Sequence, residues 1–223
     1  MGKFIDKEGD YYTGPFKEGL KHGKGIEFYK NGEKKYEGDF VNGKKEGKGI
    51  YLYDIGYFAG YLKNDKFHGK GKEFFKNKKP LYDGNYANGK LDGKGKLYNE
   101  EGVWIEGIFK DGTLTGKGQR YSEEGDLLYD GDWVDLVPEG YGKLIFDEDV
   151  VVYEGELKKG VPNGKGKQYL GGKIVKEGIF VDGNMASGDK VIYVNSFKNM
   201  YIDSETLGWD NIIIVKLLKE IMN

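Results

Sequence analysis

Residues 36–53 read YEGDFVNGKKEGKGIYLY. Both ends carry the alternating aromatic and β-branched residues of a strand, yet Gly38, Gly43, Gly47 and Gly49 fall within them. Glycine weakens a strand, because it loses more backbone entropy on folding and packs no side chain. Asn42-Gly43 between the two halves is a hairpin signal. A strand-forming segment that tolerates this many glycines has a use for bare backbone.

The rest of the chain supplies the use, because the segment repeats. The pattern aromatic-x-Gly recurs at Tyr12-Thr13-Gly14, Tyr36-Glu37-Gly38, Phe58-Ala59-Gly60, Tyr82-Asp83-Gly84, Tyr129-Asp130-Gly131 and Tyr153-Glu154-Gly155. Ile105-Glu106-Gly107 and a worn Lys176-Glu177-Gly178 extend the series. A Gly-x-Gly pair follows each good anchor: Gly23/Gly25, Gly47/Gly49, Gly69/Gly71, Gly93/Gly95, Gly116/Gly118, Gly140/Gly142 and Gly164/Gly166. Periodicity of this kind marks a repeat architecture. Each unit reads as a hairpin, with the anchor on strand one and strand two beginning at the Gly-x-Gly pair. Side chains alternate faces along a strand, so Tyr36, Gly38 and Phe40 share one face and Glu37 and Asp39 the other. Stacked units place like positions in columns, and a large ring can lie over the backbone of a neighbouring glycine.

Composition agrees. The chain has 223 residues, 38 of them glycine against 4 proline, and 18 are Tyr. Disordered chains are poor in aromatics, and no Gly-X-Y period points to collagen. Charged residues are 32% of the chain but the net charge is only −2, which argues against a dedicated nucleic-acid binder. There is no cysteine, so disulfides, Cys–zinc sites and thiol nucleophiles are excluded. MGKFIDKEGD at the start has no apolar signal-peptide core, and Asp6 stands where a myristoylation signal wants Ser or Thr. No apolar run reaches the roughly 18 residues of a membrane helix. The expected location is the cytoplasm.

Chemistry-bearing motifs dissolve into the repeat. His22 and His68 occupy one column, which elsewhere holds Glu46, Asp92, Thr115, Glu139 and Asn163. Gly43-Lys44-Lys45-Glu46-Gly47-Lys48-Gly49 has neither the spacing nor the Ser/Thr of a phosphate loop. Glu37, Asp83, Glu106, Asp130, Glu154 and Glu177 stand before anchor glycines, a like-charged column that the lysines after each first glycine of the Gly-x-Gly pairs can pair with across the sheet. Catalysis needs carboxyls in unlike environments. No enzyme, cofactor or metal site is expected.

These residues resemble the MORN repeat, whose pattern runs close to Tyr-x-Gly-x-(aromatic)-x-x-Gly-x-x-x-Gly-x-Gly. Residues 82–95, YDGNYANGKLDGKG, match it almost throughout, and the resemblance covers about residues 12 to 188. It implies an all-β fold: an elongated, single-layer, antiparallel meander of hairpins, grooved and twisted. It also implies a non-enzymatic scaffold or tether that holds a partner peptide or helix in the groove. The alternatives are an antitoxin- or immunity-type inhibitor of a toxin, and a tether to membrane phospholipid, which is not favoured. The structural anchors are Tyr12, Gly14, Tyr36, Gly38, Tyr82, Gly84, Tyr129, Gly131, Tyr153 and Gly155. The groove candidates for the partner are Tyr86, Trp133, Phe109 and Phe40, since a single layer is expected to leave some aromatics exposed.

Three segments follow: 1–11 as an N-terminal cap, 12–189 as seven repeats plus a degenerate one, and 190–223 as a C-terminal cap. In the last, VIYVNSFKNMYI reads as strand. A short amphipathic helix is expected from about Asn211, with Ile214, Leu217, Leu218 and Ile221 on one side. That helix either covers the open sheet edge, binds a partner or lies on a membrane surface.

Overall fold

A computed structural model describes residues 2–146 and 150–190. The described residues fall into two compact units, one up to Thr113 and one from Leu114. In the first, β1 (Gly2–Ile5), β2 (Tyr11–Gly14), β5 (Gly23–Phe28), β6 (Lys34–Val41), β7 (Lys44–Tyr53), β8 (Gly56–Lys63), β9 (Lys66–Phe75), β10 (Pro80–Ala87), β11 (Lys90–Tyr98) and β12 (Trp104–Lys110) make an antiparallel meander. β3 (Phe16–Lys17) and β4 (Leu20–Lys21) form a small separate hairpin. In the second, β13 (Thr113–Tyr121), β14 (Leu127–Val134), β15 (Val137–Phe146), β16 (Val150–Lys158), β17 (Val161–Leu170), β18 (Lys173–Val181) and β19 (Asn184–Lys190) continue the same pattern.

The expected all-β, single-layer hairpin array is what forms. The first segment adds strand β1, paired to β2 with Lys3 opposite Thr13. The degenerate eighth copy still makes a hairpin, with Gly178 opposite Gly188. The expected helix from Asn211 lies outside the described residues. One boundary is corrected: strand two starts before its Gly-x-Gly pair, at Lys44 rather than Gly47 in β7. Gly47 has φ +76° and opens an irregularity between Gly38 and Phe40, so the strand bends there instead of beginning there. Asn42 and Gly43 both take positive φ, 50° and 85°, which is the I′ turn that suits a twisted hairpin.

The register explains the glycines. Gly25, Gly38, Gly49, Gly60, Gly71, Gly84, Gly95 and Gly107 sit opposite one another from strand to strand in the first unit. Gly118, Gly131, Gly142, Gly155, Gly166, Gly178 and Gly188 do the same in the second. Each anchor ring lies flat on this ladder, over its own glycine and the one on the next strand. A Cβ on Gly38 or Gly49 would strike the Tyr36 ring, and Tyr82 and Tyr129 cover their own pairs likewise. Tyr12, Tyr36, Phe58 and Tyr153 are fully buried as a result.

The anchor hydroxyls finish the arrangement. Tyr12, Tyr36, Tyr82, Tyr129 and Tyr153 donate to the carbonyls of Pro15, Asp39, Asn85, Asp132 and Glu156, at 2.8–3.2 Å. The acceptor is always three residues on, where the ladder is interrupted and the carbonyl has left its strand partner. Burial raises all five phenols, those of Tyr82 and Tyr153 to about 12.

Hairpin tips are tied from repeat to repeat. Gly43 N donates to Lys21 O, Gly89 N to Phe67 O, Gly160 N to Pro138 O and Gly183 N to Pro162 O, each at 2.9 Å or less. The column that contains the histidines reinforces these links. Glu46 accepts from Asn64 N at 3.0 Å, Thr115 from Asp135 N at 3.3 Å and Glu139 from Lys159 N at 2.8 Å. In these three repeats the position is a docking post for the next tip, and both a carboxylate and a hydroxyl serve there.

Candidate functional site

The two faces of each unit differ. One is the ring face, packed with the anchors. Phe40, Tyr86, Phe109 and Trp133 lie on it, at 1%, 3%, 1% and 2% exposure. The expectation that these four line an open groove is therefore corrected. Phe40 stacks edge-on against Tyr12 and Tyr36, with ring centroids 5.0 and 5.2 Å apart, and Tyr86 does so against Phe58 and Tyr82 at 5.3 and 5.1 Å. Phe109 meets Tyr82 at 5.4 Å and Trp133 meets Tyr129 at 5.4 Å. Flat anchor rings leave room for a second ring above them, so one layer buries its aromatics without a second sheet.

The ring face also holds a charged cluster that the sequence does not single out. Glu27 accepts from Lys21 Nζ with one carboxylate oxygen and Lys45 Nζ with the other, both at 2.6 Å. Lys21 lies 5.3 Å from the Tyr12 ring centre and Lys45 5.4 Å from that of Tyr36. Burial pushes the Glu27 carboxyl up, but its two ammonium partners more than offset this and leave it below the ordinary value. The positions of Lys21 and Lys45 hold Phe67, Leu91 and Leu114 in later repeats, so the cluster is local to the first two.

The opposite face carries the residues between the anchors. Here the glycine ladder is uncovered and forms the floor of a groove. In the first unit a groove of about 580 Å³ is lined by Thr13, Lys24, Ile26, Glu37, Lys48, Ile50 and Tyr61 beside the glycines. Ile50 and Tyr61 are each 44% exposed. In the second unit a groove of about 420 Å³ is lined by Tyr141, Glu154, Lys165, Lys167, Tyr169, Glu177 and Ile179. The acidic column expected before the anchor glycines lies on this face, and one expected partner, the lysine after the first glycine, meets it in Lys94–Glu106 at 3.3 Å. Elsewhere the partner is corrected to the lysine after the second glycine, which register sets directly opposite the acid: Lys72–Asp83 at 2.6 Å, Lys143–Glu154 at 3.6 Å and Lys167–Glu177 at 3.2 Å.

Among the described residues no three His, Asp or Glu side chains are grouped to hold a metal ion. Among the described residues no helix is long and apolar enough to cross a membrane, a statement that leaves β-barrels aside. Each unit thus presents an open groove floored by glycine backbone and flanked by charged and half-exposed apolar side chains.

A β-hairpin repeat with one sealed face and one open, grooved face defines a repeat-type binding scaffold. The sequence profile of the MORN repeat matches seven consecutive segments, residues 12–34, 36–56, 58–78, 82–102, 106–127, 129–148 and 153–171, and the chain belongs to the MORN repeat family. MORN repeats are protein- or membrane-binding scaffold repeats and are not typically enzymatic. A search of curated proteins gave no match.

Proposed function

We propose that this chain is a non-enzymatic scaffold that holds a partner peptide or helix on its groove face. The observation that carries the reading is the uncovered floor of the first unit's groove, where Ile26, Ile50 and Tyr61 stand beside bare glycine backbone. Half-exposed apolar side chains in a concave setting are the usual centre of a binding patch, with a charged rim around it. The ring face offers no such surface, since its aromatics are spent on the anchors.

The test is affinity capture from the native cell's lysate with the intact chain as bait, run in parallel with an Ile50→Asp variant. The expected result is a stoichiometric protein recovered by the intact chain and lost with the variant. That protein's identity then separates a scaffold from an inhibitor of a toxin. Identical recoveries from both baits, or no protein above background, overturn the reading.

A further inference from the structure

We infer that the ring face of the third repeat carries an aromatic box for an organic ammonium group, methylated in preference to bare, with Phe67 as its floor and Glu73 as its counter-charge. The box lies on the face opposite the groove and does not depend on the scaffold reading.

Two carboxylates of one column carry the argument. Glu27 stands between the anchors Tyr12 and Tyr36 of the flanking strands, and Glu73 stands likewise between Phe58 and Tyr82. Glu27 is paired twice, with Lys21 and Lys45, whose ammoniums also lie over the Tyr12 and Tyr36 rings. Both lysines stand two residues before the first glycine of a Gly-x-Gly pair. For Glu73 the same two positions hold Phe67 and Leu91. The acid is kept and its lysines are gone. Among the described residues no ammonium or guanidinium pairs with Glu73. Its oxygens accept instead from two phenols, Tyr86 at 2.9 Å and Tyr53 at 3.0 Å. Burial and the Glu73 charge raise both phenols well above their ordinary value, so they stay protonated and go on donating. Phenol donors solvate the carboxylate, but they leave its charge unneutralised among aromatic rings.

The rings are placed to receive the missing cation. Phe58 lies on the glycine ladder, against Gly60 and Gly71, and Phe67 stacks on it with centroids 3.8 Å apart and planes 8° from parallel. The other face of Phe67 therefore points away from the sheet. Tyr86 and Tyr51 stand nearly perpendicular to it, at 82° and 74°, with centroids 5.8 and 6.1 Å away. Tyr53 adjoins Tyr51 at 6.5 Å and brings its hydroxyl to Glu73. Phe67, Tyr51, Tyr53 and Glu73 all keep partial exposure, so the box opens to solvent. Lys45, 5.7 Å from the Tyr51 ring centre, is neutralised by Glu27 and leaves Glu73 unspent.

A ring floor, ring walls and a carboxylate beside them attract an ammonium through the ring quadrupoles and the full charge together. Methylation is favoured because the rings give N–H groups no acceptor and both Glu73 oxygens already accept a phenol proton. An N-methyl group has no donor to satisfy and packs directly on the rings.

The experiment titrates the full chain with choline and with the N-acetyl amides of trimethyllysine, of lysine and of the uncharged isostere in which tert-butyl replaces trimethylammonium. Binding is read by NMR, as ring-current shifts of the probe and as shifts of isotopically labelled phenylalanine and tyrosine rings. The native chain is compared with Glu73→Gln and with Phe67→Lys, which puts the chain's own ammonium where Lys21 and Lys45 stand. Phe67→Leu is the gentler floor variant, and circular dichroism checks the strand content of each. The expected result is trimethyllysine binding about tenfold tighter than its isostere, with lysine weaker than trimethyllysine. Glu73→Gln should erase the advantage over the isostere, Phe67→Leu should weaken binding and Phe67→Lys should abolish it. Equal binding of trimethyllysine and its isostere to the native chain reveals an apolar patch alone and overturns the inference. Binding that survives both Glu73→Gln and Phe67→Lys puts the probe elsewhere and overturns it too, as does the absence of binding. Lysine binding tighter than trimethyllysine overturns the methyl preference. Trimethyllysine ahead of choline assigns the box to a side chain of a protein and the reverse order to a free quaternary amine, and either order upholds the ammonium box.

Discussion

The hydroxyl of Tyr129 donates to the carbonyl of Asp132 at 2.8 Å, across a ring that lies flat on Gly131 and Gly142. One side chain thus covers the glycine ladder, fills the ring face and satisfies the carbonyl that the interrupted ladder sets free. Replacing the tyrosine by phenylalanine removes only the last contribution, and Phe58 shows that the repeat accepts this. Tyr129→Phe is expected to cost about 1 kcal/mol and Tyr129→Ala about 3–5 kcal/mol, read from urea midpoints. Equal losses would show that the hydroxyl, not the ring, dominates.

The same hydroxyls predict an alkaline limit. Burial raises the phenols of Tyr36, Tyr82, Tyr129 and Tyr153, those of Tyr82 and Tyr153 to about 12. A raised folded value means that the folded state holds its proton where the unfolded chain, near pH 10, has released it. Stability is therefore fully present below about pH 10 and falls as pH rises from there through the folded values. Ultraviolet difference absorbance should show phenolate appearing together with loss of β-sheet circular dichroism. Ionisation of these phenols ahead of any loss of structure would contradict the burial.

Gly49→Ala tests the ladder directly. A Cβ there meets the Tyr36 ring, which rests on the Gly38 and Gly49 backbones and cannot move away from them without losing its own burial. Overpacking of this kind typically costs about 1–3 kcal/mol, and the whole ring has to shift here, so the upper end is expected. Gly32, with φ +87° and nothing within 4 Å of a built Cβ, is the control. Its alanine variant pays only the left-handed penalty of about 1–2 kcal/mol. Equal denaturation midpoints for the two variants would mean that backbone conformation, not ring contact, fixes the ladder.

Much of this was legible beforehand. Repetition at Tyr36-Glu37-Gly38 and its partners identifies the hairpin, the columns and the face assignments, because a period of two and a fixed register leave no freedom. The burial of Phe40, Tyr86, Phe109 and Trp133 is not legible in the sequence, for a physical reason. A single sheet exposes two sides, so the sequence alone predicts that aromatics such as Tyr86 and Trp133 meet water. The sequence does not show that the anchor rings lie parallel to the sheet, which lets a second ring pack over each one. Nor does it show that Glu27 is flanked by Lys21 and Lys45, since the three belong to different strands and only register brings them within 2.6 Å. The exposed apolar floor at Ile26 and Ile50 had a readable signal. It is the one column on the groove face that is isoleucine in the first two repeats and chiefly lysine afterwards.

Glu27 predicts an acid limit. Its folded carboxyl value is depressed by Lys21 and Lys45 in spite of burial, so its stabilisation is present above the unfolded value of about 4.3 and is lost as pH falls through the folded value. Glu27→Gln leaves two partly buried ammoniums facing each other and is expected to cost about 3 kcal/mol at neutral pH, the low end for a broken buried pair because Lys21 keeps some contact with water. Urea midpoints followed from pH 7 down to about pH 3 should converge for the native and variant chains. A constant gap across that range would assign the loss to packing.

Gln168 predicts a gain. It is 1% exposed, and neither its amide nitrogen nor its oxygen has a hydrogen-bond partner. Its column holds Leu97 and Leu144 in two other repeats, so the site already accommodates leucine. An unpartnered buried amide costs about 1–3 kcal/mol, and replacing it with an apolar side chain of similar volume removes that cost. Gln168→Leu is therefore expected to raise the denaturation midpoint. A variant that melts lower would show that the amide is engaged in solution, and amide-proton chemical shifts of the native side chain would then locate its partner.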